Sequence, residues 1–205
     1  MQASALIAST VVLAYVAFVL WYGGRGKPMD AAEVERFMQQ LSGLTSTAHQ
    51  QELLGEVRTL VAKDDGREFV MQNLVRYRAR ALYPAGSPFG DDPREADKRY
   101  GRAIVPHLLR YGNVPVFIAR RSGSFIQPAG SQEWHYVAMV RYRSKRDFLR
   151  FALRIESANI AMHKWAAIET TQVFPVQPMV SLIFVRAAVA AVMIGLGCLI
   201  NALVC

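Results

Sequence analysis

The sequence predicts an α+β domain with the element order β-α-β-β-α-β, set between two helices long enough to cross a membrane. Three observations predict it. Ser4–Tyr22 and Val180–Val204 are apolar runs of bilayer length, which takes about 20 residues. Between them, four short β-rich apolar runs are separated by longer stretches of helical periodicity. Ahead of the first strand lie two further amphipathic stretches, polar on one side and apolar on the other.

The totals agree with this division. Of 205 residues, 52% are hydrophobic and only 20% charged, and the apolar excess sits at the two ends. The net charge of +8 points to an acidic partner surface, nucleic acid or anionic lipid, and the hydrophobic ends favour lipid. Single-strand nucleic-acid platforms combine basic residues with exposed aromatics in a definite motif, and none is seen. The only cysteines, Cys198 and Cys205, both lie in the last apolar run. On one helix they sit roughly 10 Å apart at ~1.5 Å per residue, too far to bridge. The middle of the chain therefore has no disulfide framework and no thiolate metal site, which suits a reducing compartment.

Taken in order, residues 1–27 read as an N-terminal transmembrane anchor followed by a basic linker. Trp21 and Tyr22 fall where an interfacial aromatic belt belongs, and no basic n-region or small-x-small cleavage site marks a signal peptide. Residues 28–63 read as a helical pair. Asp30 caps the first helix, whose stripe is Val34, Phe37, Met38, Leu41 and Leu44. The second, from about Thr47 to Lys63, turns Leu53, Leu54, Val57, Leu60 and Val61 to one side.

Residues 64–178 hold the sheet domain. Its first strand, within Arg67–Pro84, carries Phe69, Val70, Met71, Leu74 and Val75 and ends in Arg76, Arg78 and Arg80 at alternate positions, which a strand would point one way. Asn73 is an amide among apolar neighbours and needs partners. A Gly/Pro/Asp-rich loop, Pro84–Pro93, leads to a helix over Arg94–Tyr111, which Pro106 is expected to bend and Gly112-Asn113 to close. Strands follow at Val114–Arg120 and Trp134–Arg143, then a helix at Asp147–Ser157 and a shorter one at Ala158–Ala166. The last strand, Ile168–Phe174, is expected to stop at Pro175 and Pro178. This order is the split βαβ, or ferredoxin-like, arrangement, with strand order 4-1-3-2. Residues 179–205 form the C-terminal transmembrane helix. Arg186 sits near its start, where it can snorkel, and Ala187, Ala191 and Gly195 form a small-residue stripe suited to helix packing.

The runs DDGREFVMQNLVRYR, KRYGRAIVPHLLRYG and WHYVAMVRYRSKRDFLRF resemble an uncharacterised bacterial domain family of the dimeric α+β-barrel superfamily with an N-L-x-R-[FY]-R strand motif. The likeness spans about Val61–Val176. It implies sheet-to-sheet pairing of two copies. It also implies a cavity beside the sheet that, in other members of the superfamily, serves monooxygenases and isomerases.

In that fold Arg76, Arg78, Arg80, Arg120, Arg121, Trp134 and His135 share one end of the sheet, and Arg141, Arg143, Lys145 and Arg146 share the other. The first end is either an anion site or a rim of arginine–carboxylate pairs. The second is expected to face solvent or headgroups. The ligand-binding candidates are Asn73, Arg76, Arg78, Tyr83, Tyr100, Arg120, Trp134 and His135. No metal spacing, phosphate loop or catalytic triad stands out, and no cofactor is expected.

Two functions are open. One is a dimerising or accessory subunit of a membrane complex, in contact with anionic lipid. The other is a cofactor-poor enzyme acting on a small hydrophobic or anionic substrate. Arg25, Lys27 and Arg186 at the span ends predict a bacterial inner-membrane protein with two spans and the central domain cytoplasmic.

Overall fold

The structure, a computed structural model, describes residues 2–23, 26–44, 48–177 and 185–204. It divides into two compact units, Met1–Gly24 with Pro178–Cys205, and Arg25–Gln177.

The first unit is a helical pair, α1 (Gln2–Gly23) and α7 (Val185–Val204), each long and apolar enough to cross a membrane. The pair is antiparallel. Arg186 lies 4.8 Å over the Tyr22 ring near one end, and farther along Gly197 is buried against Val11. A Cβ at Gly197 would come within 2.9 Å of Val11 Cγ2, so the small residue that lets these helices close up is Gly197. Ala187, Ala191 and Gly195 are instead exposed, and that stripe is not the face that meets α1. Cys198 is exposed, and Cys205 lies outside the described residues.

The second unit contains α2 (Ala31–Leu44), α3 (Ala48–Ala62), β1 (Phe69–Tyr77), α4 (Pro93–Arg110), β2 (Val114–Arg120), β3 (Tyr136–Tyr142), α5 (Lys145–Ser157), α6 (Ala161–Ala167) and β4 (Ile168–Val176). The sheet order is β2-β3-β1-β4 with every neighbour antiparallel. With its helical crossovers this is the ferredoxin-like fold.

Alternation along β1 sorts the two faces. Phe69, Met71, Val75 and Tyr77 pack under the helices, in clusters with Leu108, Tyr142, Phe151 and Ile155 at one end and Ala81, Ala96, Ala167 and Ile168 at the other. Val70, Gln72, Leu74 and Arg76 point to the opposite face, opposite Val176, Phe174, Gln172 and Thr170 of β4. The helical pair α2–α3 covers α5 through Leu41, Val61 and Leu149. Asp30 caps α2, its Oδ1 accepting from Glu33 N–H at 2.7 Å. Leu44, expected in the α2 stripe, is exposed because the helix ends there, and the Leu53 side chain lies outside what the structure describes.

Four boundaries differ from expectation. β1 ends at Tyr77, after a register shift at Arg76/Tyr77, so Arg78 and Arg80 do not continue the alternation of Arg76. β3 begins at Tyr136, leaving Trp134 and His135 in the preceding loop. α5 begins at Lys145, two residues ahead of the expected Asp147. Pro175 lies inside β4 opposite Met71, which an edge strand tolerates because its outer N–H positions have no partner to lose.

The second basic cluster is also unlike its expectation. Arg141 is buried, its Nη1 donating to Gly112 O at 2.9 Å and its Nε to Glu68 at 3.1 Å. Arg143 Nε and Arg150 Nη1 donate to the two oxygens of Asp147 at 2.7 and 3.2 Å. Burial pushes the Asp147 carboxyl up, but the Arg143 and Ser144 hydrogen bonds and the nearby charges outweigh it and hold it below the usual range. Arg146 donates to Glu33 and to the carbonyls of Lys27 and Pro28. Of these, Arg146 fastens α5 to α2, because the α5 N-terminus meets the chain entering from residue 26. The exit lies at that same end of the sheet, where Val176 pairs with Val70.

Candidate functional site

At the opposite end of the sheet, β1 and β3 each bring a tyrosine to the face under α4. Alternation places Tyr77 two residues beyond buried Val75, and Tyr136 sits two residues before Ala138 on the neighbouring strand. Both meet Asp97. The Tyr77 hydroxyl donates to Oδ2 at 2.8 Å and the Tyr136 hydroxyl to Oδ1 at 3.1 Å. Asp92 caps α4, its Oδ1 accepting from Arg94 N–H at 2.8 Å, and this fixes the turn that carries Asp97.

Burial sets the electrostatics of this cluster. Burial raises the Asp97 carboxyl, and the two phenol bonds and Lys164 offset the rise only in part. Burial likewise lowers the Lys164 ammonium, against the pull of Asp97 and Glu156, and raises Glu156. Tyr77, Tyr136 and Tyr100 are pushed up, first by burial and then by the Asp97 charge or bond. An acid raised and an amine lowered side by side are the ingredients of acid–base chemistry, and equally of a buried structural network.

The candidates from sequence fall into several groups. His135 stands beside this cluster. Its Nδ1 accepts from Tyr77 N–H at 2.8 Å and its ring stacks on Tyr77 at 5.5 Å. Arg120 is exposed opposite Tyr136, and Trp134 adjoins His135. Tyr100 lies one turn beyond Asp97 on α4. Asn73 is satisfied within the sheet, donating to Met71 O at 3.2 Å and Ala138 O at 3.4 Å. Arg76 is on the other face, 2.8 Å from Glu169. Arg78 bonds the end of α6, its N–H reaching Ala167 O at 2.9 Å and its Nε reaching Trp165 O at 3.4 Å. Arg80 pairs with Asp91 at 2.7 Å.

Tyr83 belongs to a second aromatic group. Its hydroxyl lies 2.8 Å from His163 Nδ1, and Phe89 packs 4.8 Å from both rings. The candidates from sequence do not include Asp97, Tyr77, Tyr136, Lys164 or His163. One signal was present: Asp97 interrupts the apolar face formed by Ala96, Tyr100 and Ile104. Among the described residues, no group of three or more His, Cys, Asp or Glu side chains is placed to hold a metal. Grooves elsewhere include one of about 550 Å³ between α2 and α5, lined by Phe37, Leu44, Tyr111, Leu153 and Arg154.

No family model matches this chain, and no curated protein matches it. Solved structures do. The likeness is to a protein of unknown function. That protein, from Rhodopseudomonas palustris, is 26% identical with a TM-score of 0.55, over 67% of this chain and 98% of its own. Its methylated form gives 27% and 0.55, over 68% and 96%. Two thirds of the present chain thus account for nearly all of the solved protein. A DABB-family protein with a ferredoxin-like fold from Mesorhizobium loti is 10% identical with a TM-score of 0.35, over 55% of this chain and 98% of its own.

Proposed function

We propose that this chain is a membrane-anchored, ferredoxin-like module that assembles through the open face of its sheet, most simply with a second copy. The observation that carries this is the composition of that face. Val70, Leu74, Val137, Met139, Phe117 and Phe174 point away from every helix that packs on the sheet, and Phe117 is 44% exposed. A sheet apolar on both faces with helices on one needs a second cover. The exposed Ala187, Ala191 and Gly195 stripe offers copies or another subunit a contact within the bilayer.

In this reading the domain lies on the cytoplasmic side of a bacterial inner membrane. Arg25, Lys27 and Arg186 mark that side, and basic residues face anionic headgroups. The test has three arms. Full-length protein should resist carbonate extraction, should behave as a dimer in mild detergent, and should become monomeric on Leu74→Glu with its helical signal unchanged. A wild-type monomer, or a dimer indifferent to Leu74→Glu, overturns the assembly. A silent cytoplasmic reporter fused after Pro178 overturns the orientation.

A second reading, cofactor-poor chemistry on a small molecule, is favoured by the Asp97–Tyr77–Tyr136 cluster with Lys164. Here Asp97 is the acid–base group and the phenols position it. Turnover lost in Asp97→Asn while the dimer persists separates the two readings.

A further inference from the structure

Arg99, on the turn of α4 after Asp97, has an Nη1 that is shut off from solvent and makes no hydrogen bond. A buried guanidinium nitrogen without an acceptor is costly. Its guanidinium carbon lies 5.4 Å from the centre of the Phe89 ring. The same ring is met by His163, edge-on at 4.8 Å, and by Tyr83 at 4.8 Å. Phe89 thus fills a cage made of a cation, an imidazole and a phenol, and these contacts supply no anion.

The ring comes from a loop that is held at its base. Ala81 N–H donates to Asp91 O at 2.6 Å and Arg80 Nε to Asp91 Oδ2 at 2.7 Å, which pins the loop at its base. Asp92 is committed to capping α4. Between these points Gly86, at φ +79, and Gly90 flank the residue, and neither has an atom within 4 Å of a virtual Cβ. Lifting residues 84–90 would break no helix or strand.

We propose that Phe89 is a resident plug in a binding site for a flat aromatic carboxylate. The ring of such a ligand would take the place of the Phe89 ring against Arg99, His163 and Tyr83. Its carboxylate would supply the acceptor that Arg99 lacks, in the forked geometry guanidinium favours. The Tyr83 hydroxyl, 2.8 Å from His163 Nδ1, borders the same space and can bond a polar ring substituent. Burial and the Arg99 charge both hold the His163 imidazole below its ordinary value, which keeps it a neutral wall. This site goes beyond the assembly proposed above and does not depend on it.

The test titrates benzoate into full-length detergent-solubilised protein by calorimetry, with benzyl alcohol as the uncharged match. Phe89→Ala should bind benzoate at least ten-fold more tightly than wild type, and benzyl alcohol should bind at least ten-fold more weakly than benzoate. Adding Arg99→Gln to Phe89→Ala should abolish binding. Phe89→Ser, which likewise removes the ring, replaces the alanine variant if circular dichroism shows that it has unfolded. A folded Phe89 variant that takes no benzoate, binding that survives Arg99→Gln, or equal affinity for benzyl alcohol would each overturn the proposal.

Discussion

Arg146 grips Glu33 across 113 positions of sequence, Nε to Oε1 at 2.6 Å and Nη2 to Oε2 at 2.9 Å, with the side chains only 14% and 22% exposed. The bond pulls the Glu33 carboxyl down and the Arg146 guanidinium up. The same guanidinium holds the carbonyls of Lys27 and Pro28 at 3.1 and 3.2 Å. One side chain therefore ties α5, α2 and the lead into the domain.

Arg146→Ala should cost about 2–4 kcal/mol, since it strands a largely buried carboxylate and two carbonyls. Arg76→Ala should stay within about 1 kcal/mol, because its pair with Glu169 is 39% and 46% exposed. Denaturant unfolding of both variants checks this, and equal costs would refute it. The ranking reverses what the strand motif alone suggests.

Gly66→Ala should destabilise by at least about 2 kcal/mol. Gly66 sits at φ +72, and a Cβ there would overlap the Lys27 carbonyl carbon and lie 2.6 Å from Pro28 N. The partners are backbone and cannot swing aside. Thermal melting should show the loss, and faster amide exchange near residues 27–30 should accompany it.

Asp97 should leave a signature in the pH dependence of stability. Its folded carboxyl is raised, so the protonated form is favoured in the fold. That contribution is complete below the unfolded value of 3.8 and is lost as pH rises through the folded value. The stability of wild type relative to Asp97→Asn should therefore fall with rising pH over that window. A difference flat in pH would show that Asp97 does not titrate as described.

His163 has the opposite sign of consequence. Its folded value is depressed below 6.5, so the neutral ring stabilises the fold above 6.5 and the contribution is lost as pH falls through the folded value. Once protonated, Nδ1 can only donate to the Tyr83 oxygen. Amide exchange in residues 84–90 should quicken over that acid range in wild type and show no such step in His163→Gln.

The architecture was largely legible because it is written in periodicity. The bounds of β2 match residue for residue, and the strand order 4-1-3-2 is the one observed. The site was less legible because its members come from four elements. Asp97, Tyr77, Tyr136 and Lys164 are separated by long stretches of chain, and only the acid in the α4 apolar stripe hinted at them. Arg78 and Arg80 misled because alternation has meaning only while the strand lasts, and β1 ends at Tyr77. The basic run from Arg141 to Arg146 misled for another reason. Its carboxylates, Glu33, Glu68 and Asp147, are supplied by three different elements or their flanks, so composition alone reads the arginines as a wet surface.

That the chain leaves the domain from the end of an edge strand, at Val176 beside Val70, bears on how it would carry force. Tension between the two terminal helices would enter at Lys27, where Arg146 resists it, and at Val176, where β4 has only β1 as a neighbour. The load would open the β1–β4 ladder one rung at a time, from Val70–Val176 toward Tyr77–Ile168, instead of shearing all rungs at once. Peeling β4 would carry Phe174 and Val176 off the sheet surface first. A pull from that end would thus thin the open face of the sheet before it disturbed the core beneath the helices.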